Sequence, residues 1–108
     1  MAPGNYLGEF EHVLLLTVLQ LKQDADAVRI RAHLASHAER KVSRGALYAT
    51  LERLARKGYL TWTLDEPEPD RGGYPRRMFE VTRAGLDAVR TSQRIITRLS
   101  DGLEEALR

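Results

Sequence analysis

The chain contains no cysteine. Disulfide scaffolds, thiol catalysis and cysteine-ligated zinc are thereby excluded. It also lacks an apolar run long enough to span a bilayer, since the longest, within Leu7 to Leu21, is too short. The opening MAPGNYLGEFEH has no basic leader and carries Glu9 and Glu11, so no secretory signal is expected, no membrane partner, and a cytoplasmic location. A large excess of charge of either sign is missing too. The net charge is only +2, which says little about partners until its distribution is examined. No nucleophile with a base, no phosphate loop and no paired-carboxylate pattern stands out, so an enzyme is not expected, nor a cofactor. His33 and His37 stand four apart on one predicted helix. Two ligands do not make a metal site, and no metal is assigned.

What is present is a single domain's worth of sequence. A chain of 108 residues buries roughly two-thirds of its unfolded surface, enough for one modest core. The most informative stretch is VSRGALYATLERLARKGYL, Val42 to Leu60. Ser43 can cap a helix at its start and Gly58 can end it. Leu47, Leu51 and Leu54 form one apolar stripe, while Arg44, Tyr48, Arg53, Arg56 and Lys57 occupy the rest of the surface. Such a helix needs a cover for its back, and an anion suits its flank.

Around it the chain falls into order. Met1 to Asn5 is a loose tail. Leu7 to Leu21 reads as a first helix so apolar that two sides need cover, either from a second copy of the chain or from complete burial within one subunit. A second helix is predicted over roughly Ala25 to His37, capped by Asp24 or Asp26. After Gly58 the period changes. Tyr59 to Leu64, with Trp62 expected in the core, and RMFEV from Arg77 to Val81 read as two strands around a loop from Asp65 to Pro75. Thr82 then caps a last helix expected to run to about Leu107. Leu86, Val89, Gln93, Ile96, Leu99, Leu103 and Leu107 step by 3, 4, 3, 3, 4 and 4, close to a coiled-coil seam. Either this seam pairs with a second copy or it folds back on the first helix. No internal repeat or low-complexity segment is visible. The fold class is mainly α with a small β-hairpin: a winged helix-turn-helix plus a C-terminal dimerisation helix. The expected division is a flexible tail over 1–6, a DNA-binding domain over 7–81 and a dimerisation helix over 82–108.

Two motifs carry a family resemblance. Ser43, Gly45, Leu47, Tyr48, Leu51, Leu54 and Gly58 resemble the signature helix of the PadR family of transcriptional regulators. Arg76, Arg77, Met78, Phe79, Glu80, Val81, Thr82 and Gly85 resemble its second signature, with Phe79 where the family usually has Tyr and Val81 where it has Leu. The resemblance spans roughly Leu7 to Arg90, and the short chain is similar to the subfamily with a single C-terminal helix rather than a longer helical domain. It implies a homodimer on a pseudo-palindromic operator, often a repressor relieved by a small molecule.

Candidate DNA contacts follow. Lys41, Ser43 and Arg44 surround the helix N-terminus, where free N–H groups and a partial positive charge suit phosphate. Arg44 is the candidate base reader, and Tyr48 a phosphate contact by its family position. Gly45 permits close approach either to DNA or to a neighbouring helix. Tyr48 can equally pack, and Arg56 and Lys57 can serve the helix dipole. Arg53 is a backbone candidate. In the hairpin, Asp65, Glu66, Glu68 and Asp70 line the ascending side, whereas Arg71, Arg76 and Arg77 follow the tip and are the candidate wing contacts. The candidate dimer surface comprises Val13, Leu16, Leu86, Val89, Ile96, Leu99 and Leu103. The leading expectation is a sequence-specific regulator binding double-stranded DNA and itself, with a small-molecule effector as a candidate partner. The rivals are a winged-helix protein–protein module that never touches DNA, and a ligand-binding protein with its pocket between the first and last helices.

Overall fold

In the computed structural model, which describes residues 6–66, 72 and 74–108, capping side chains decide where most helices begin. Helix α1 is Glu9–Leu21. It starts two residues later than its apolar pattern because the Gly8 N–H is taken by Glu11 Oε1 at 2.9 Å. After a 3-10 turn, Lys22–Asp24, helix α2 is Ala27–His37. Of the two aspartates offered by the sequence, Asp26 is the cap, accepting the Arg29 N–H at 2.8 Å. Helix α3 is Arg44–Arg56, and the Ser43 hydroxyl accepts the Ala46 N–H at 3.1 Å.

Helix α3 stops because Gly58 takes φ 82°. That left-handed step lets the Tyr59 N–H reach the Leu54 carbonyl at 2.9 Å and the Gly58 N–H reach Ala55 at 3.0 Å, the paired bonds of a Schellman motif. Strands β1, Leu60–Leu64, and β2, Arg77–Val81, then pair antiparallel, with Leu60 opposite Val81 and Leu64 opposite Arg77. Thr82 joins three elements. Its hydroxyl donates to the Gly58 carbonyl at 2.6 Å and accepts from the Gly85 N–H at 3.0 Å, capping helix α4, Arg83–Ser100.

The core lies where α1, α2 and α3 meet. Leu14, Leu15, Ile30, Leu34, Leu47, Leu51 and Leu54 are all 1% exposed or less. The base of the hairpin closes one side through Leu60 and Phe79. It is also tied on by its backbone, since the Phe79 N–H donates to the Ala25 carbonyl at 2.9 Å. The Phe79 ring is buried in the core. Farther along, the hairpin outruns the core. Trp62, expected inside, lies on the surface with the Arg77 guanidinium 4.3 Å from its ring centroid.

The last helix corrects two expectations. It ends at Ser100, not near Leu107, because Asp101 turns extended and Gly102 takes φ 82°. Leu103 and Leu107 therefore sit on a separate terminal turn, closed by the Leu107 N–H on the Leu103 carbonyl, and do not extend the helical seam. Val89, placed on the dimer seam by spacing, belongs to the subunit's own core. The first half of α4 lies against α1 and shields it there. Its second half leaves the body: Ile96 is 52% exposed and Leu99 70%. The Cα radius of gyration, 15.6 Å, exceeds the roughly 13 Å of a compact chain this long, as a projecting helix requires. Among the described residues, no helix is long and apolar enough to cross a membrane.

Candidate nucleic-acid interface

The N-terminal end of α3 is an open basic surface. Lys41, Ser43, Arg44 and Gly45 are exposed and Tyr48 is half-buried. Neither Lys41 nor Arg44 makes an ion pair among the described residues. Arg44 instead lies with its guanidinium carbon 6.0 Å from the Tyr48 ring centroid. A Cβ built on Gly45 meets nothing within 4 Å. Close packing against a helix of the same chain therefore does not explain this glycine. The Ser43 hydroxyl is engaged as the cap. Arg31 braces the segment leading into α3, its Nε donating to the Val42 carbonyl at 2.7 Å.

The far end of α3 is built differently. Arg53 Nε and Lys57 Nζ both donate to Glu11 Oε2 of α1, at 3.2 and 2.8 Å. The Glu11 side chain is only 7% exposed. Burial alone would raise its pKa. Hydrogen bonds from Lys57, the Gly8 N–H and Arg53, with the charge of Lys57, outweigh burial and hold the carboxyl below the ordinary glutamate value. Arg53 is thus engaged within the subunit rather than extended from it.

The wing arginines divide in the same way. Arg76 turns inward, with its guanidinium donating to Asp26 Oδ2 at 2.8 Å, while its backbone N–H donates to Asp65 Oδ1 at 2.6 Å. Arg77 bonds Glu52 of α3 at 2.9 Å while covering Trp62, yet its side chain remains 40% exposed. Glu52, a carboxylate on the outward face of α3, is thereby neutralised. Arg71, Glu68 and Asp70 lie outside the described residues.

Sequence reasoning overlooked Glu11 and Asp26 as hubs, although Asp26 was noted as a cap. It also left Gly85 without a physical reason. A Cβ there would stand 2.2 Å from the Tyr59 carbonyl oxygen, so α4 can begin against β1 only if this residue has no side chain. The Thr82 and Gly85 pair is thus the joint between hairpin and last helix. His33 and His37 stack with ring centroids 4.0 Å apart. Partial burial, and then the charge of His37, lower the His33 pKa. Among the described residues no group of three or more metal-ligating side chains is gathered.

A second concave surface lies between α1 and α4, with a volume of about 570 Å³. Leu7, His12, Val13, Leu16, Ser92, Gln93 and Ile96 are among its lining residues. His12 is buried at its edge, with Nδ1 2.7 Å from Ser92 Oγ and Nε2 3.0 Å from Gln93 Oε1.

The arrangement matches known proteins. A PadR-like transcriptional regulator from Bacillus cereus superposes with a TM-score of 0.74 at 20% identity, over 92% of this chain and 91% of that one. A PadR-like transcription factor from Bacteroides fragilis gives a TM-score of 0.70 at 24% identity, over 90% and 88% of the two chains. A PadR family regulator from Eggerthella lenta gives 0.69 at 25% identity, over 93% and 87%. No curated protein sequence matches the chain. The sequence model of the transcriptional regulator PadR-like family matches residues 15–91, covering α1 from its middle through the first half of α4. With the capped α3, the wing and the Thr82–Gly85 joint all inside that span, the chain belongs to the PadR-like family of non-enzymatic transcriptional regulators.

Proposed function

We propose that the protein is a homodimeric repressor that binds a pseudo-palindromic operator in double-stranded DNA and is released by a small molecule. The observation that carries this reading is the contrast between the two ends of α3. At one end Arg53 and Lys57 are held by Glu11. At the other, Lys41 and Arg44 are exposed beside a glycine with open space before it. The N-terminal half of α3 is therefore the part suited to enter a major groove. In this reading Arg44 reads a base, Lys41 and Tyr48 contact phosphate, and Ser43 presents the helix N-terminus. Gly45 and Ala46 let the backbone approach. Arg77 supports the wing side. Arg53 and Arg76 are assigned to the protein's own framework.

Homodimerisation is supported by the apolar strip of Leu16, Ile96 and Leu99, which the subunit leaves uncovered. Exposed apolar surface of this kind marks an interface. Val13, half-buried, lies beside Leu16 and Ile96, Leu86 is half-buried at the start of α4, and Leu103 lies beyond the helix end. The groove between α1 and α4 falls in the size range of small-ligand sites. An effector there would bear on the same two helices that join the subunits.

A pull-down of genomic fragments with the purified protein, footprinted at two salt concentrations, tests the reading. The expected result is a protected inverted repeat whose occupancy falls steeply with salt, as counterion release requires. No enriched fragment at low salt would overturn it in favour of a protein-binding winged helix.

A further inference from the structure

We infer that Glu11 and His12, neighbours on α1, act together as a pin between α3 and α4, and so position α3 for one operator half-site spacing. The inference rests on the operator reading above and names what sets its geometry. Successive residues on a helix point about 100° apart. Here that offset sends one buried side chain to each flanking helix. Glu11 accepts from Arg53 of α3 and from Lys57 at its C-cap, at 3.2 and 2.8 Å. His12 bonds Ser92 and Gln93 of α4 at 2.7 and 3.0 Å. Glu11 is 6% exposed and His12 7%.

Apart from Thr82, which ties the start of α4 to the Gly58 carbonyl at the end of α3, the contacts that pack these helices are largely apolar. Leucine contacts are non-directional and tolerate small sliding and rotation at low cost. Hydrogen bonds do not, because they weaken steeply with angle and distance. The carboxylate adds a further constraint, since a buried charge separated from its partners is costly. A swing of α4 about the Thr82 joint relative to α3 therefore strains the bonds at Glu11 or those at His12, because α1 cannot follow both helices at once. In a dimer joined through α4, the separation of the two α3 helices sets the spacing of the half-sites. The leucines hold the helices together, and the pin fixes their register. Arg53 and Lys57 consequently affect operator choice without touching DNA.

The test is selection by the full-length protein from a pool of inverted half-sites joined by spacers of every length. The wild type is expected to select one spacing sharply. Glu11→Gln weakens the α3 side of the pin, and Ser92→Ala weakens the α4 side. Each is expected to reduce the preference for the best spacing over its neighbours by roughly threefold to tenfold. Sedimentation and thermal melting identify whether each variant remains a folded dimer, and the milder Ser92→Ala serves if Glu11→Gln does not fold. A uniform loss of affinity across all spacings, or an unchanged preference in both variants, would overturn the positioning role while leaving the operator reading intact. A wild type that selects no inverted repeat would overturn both.

Discussion

Arg76 donates to Asp26 across 2.8 Å, joining the root of the wing to the cap of α2, although the two residues are 50 positions apart. Asp26 is 1% exposed, and its other oxygen accepts the Arg29 N–H that opens α2. Removing the carboxylate therefore takes away both a cap and a buried ionic partner. Asp26→Ala is expected to destabilise the fold by about 3 kcal/mol. Arg76→Ala should cost less, because the Arg29 guanidinium stands 3.4 Å from the same carboxylate. Thermal denaturation measures both. Since Arg76 serves Asp26, Arg76→Ala should also leave the salt dependence of DNA binding nearly unaltered. A clear flattening of that slope would return Arg76 to the interface.

Arg44 presents the opposite case. It is exposed and bonded to no carboxylate among the described residues, so its loss should leave stability unchanged. Arg44→Ala is expected to weaken specific binding by about 1–3 kcal/mol if it reads a base. Competition against non-specific duplex distinguishes base reading from phosphate contact, because a lost phosphate contact weakens both targets alike. Unchanged operator affinity would remove Arg44 from the reading set.

The glycines of the two family motifs are expected to respond in opposite ways. Gly45→Ala places a methyl in open space on an exposed helix, and should stabilise the protein by up to about 1 kcal/mol. It should weaken operator binding, since that space faces the duplex in the proposed complex. Gly85→Ala sets a Cβ against the Tyr59 carbonyl and should destabilise by about 1–3 kcal/mol. Melting curves beside binding isotherms separate the two effects.

Leu99 is 70% exposed on the projecting half of α4. Leu99→Asp should yield folded monomers with much weaker operator binding. Sedimentation velocity reads the mass directly, and a retained dimer would place the interface elsewhere.

Glu11 gives the fold an acid-sensitive contact. Its pKa is lower in the folded chain than the ordinary value. The carboxylate therefore contributes stability that is complete above about pH 4.3, the ordinary glutamate pKa. That contribution is lost as pH falls through the lowered folded value. Glu11→Gln should be less stable than the wild type near neutrality. The difference should hold above about pH 4.3 and shrink as pH falls below it, and chemical denaturation at a series of pH values measures it. A constant difference would mean that the carboxylate's charge contributes nothing.

The sequence by itself determined the elements and most of their ends. Ser43, Gly58 and Thr82 cap or end helices through backbone groups only a few residues away, so those roles are legible without tertiary contacts, whereas the choice of Asp26 over Asp24 was made by the structure. The leucine stripe of α3 and the returning strand from Arg77 to Val81 were equally plain, because side-chain period mirrors local geometry. The tertiary structure alone decided what the charged side chains do. An arginine reads alike in sequence whether it faces solvent or a buried carboxylate. Arg53 met Glu11 from 42 positions away and Arg76 met Asp26 from 50, and those partners appear only when helices and wing pack. Packing also settled Val89 in the core, brought Trp62 to the surface, and separated the two glycines, one facing open space and the other a carbonyl. Local signals are set by bonds within a turn of the chain; charge pairing and burial are set by which distant surfaces meet.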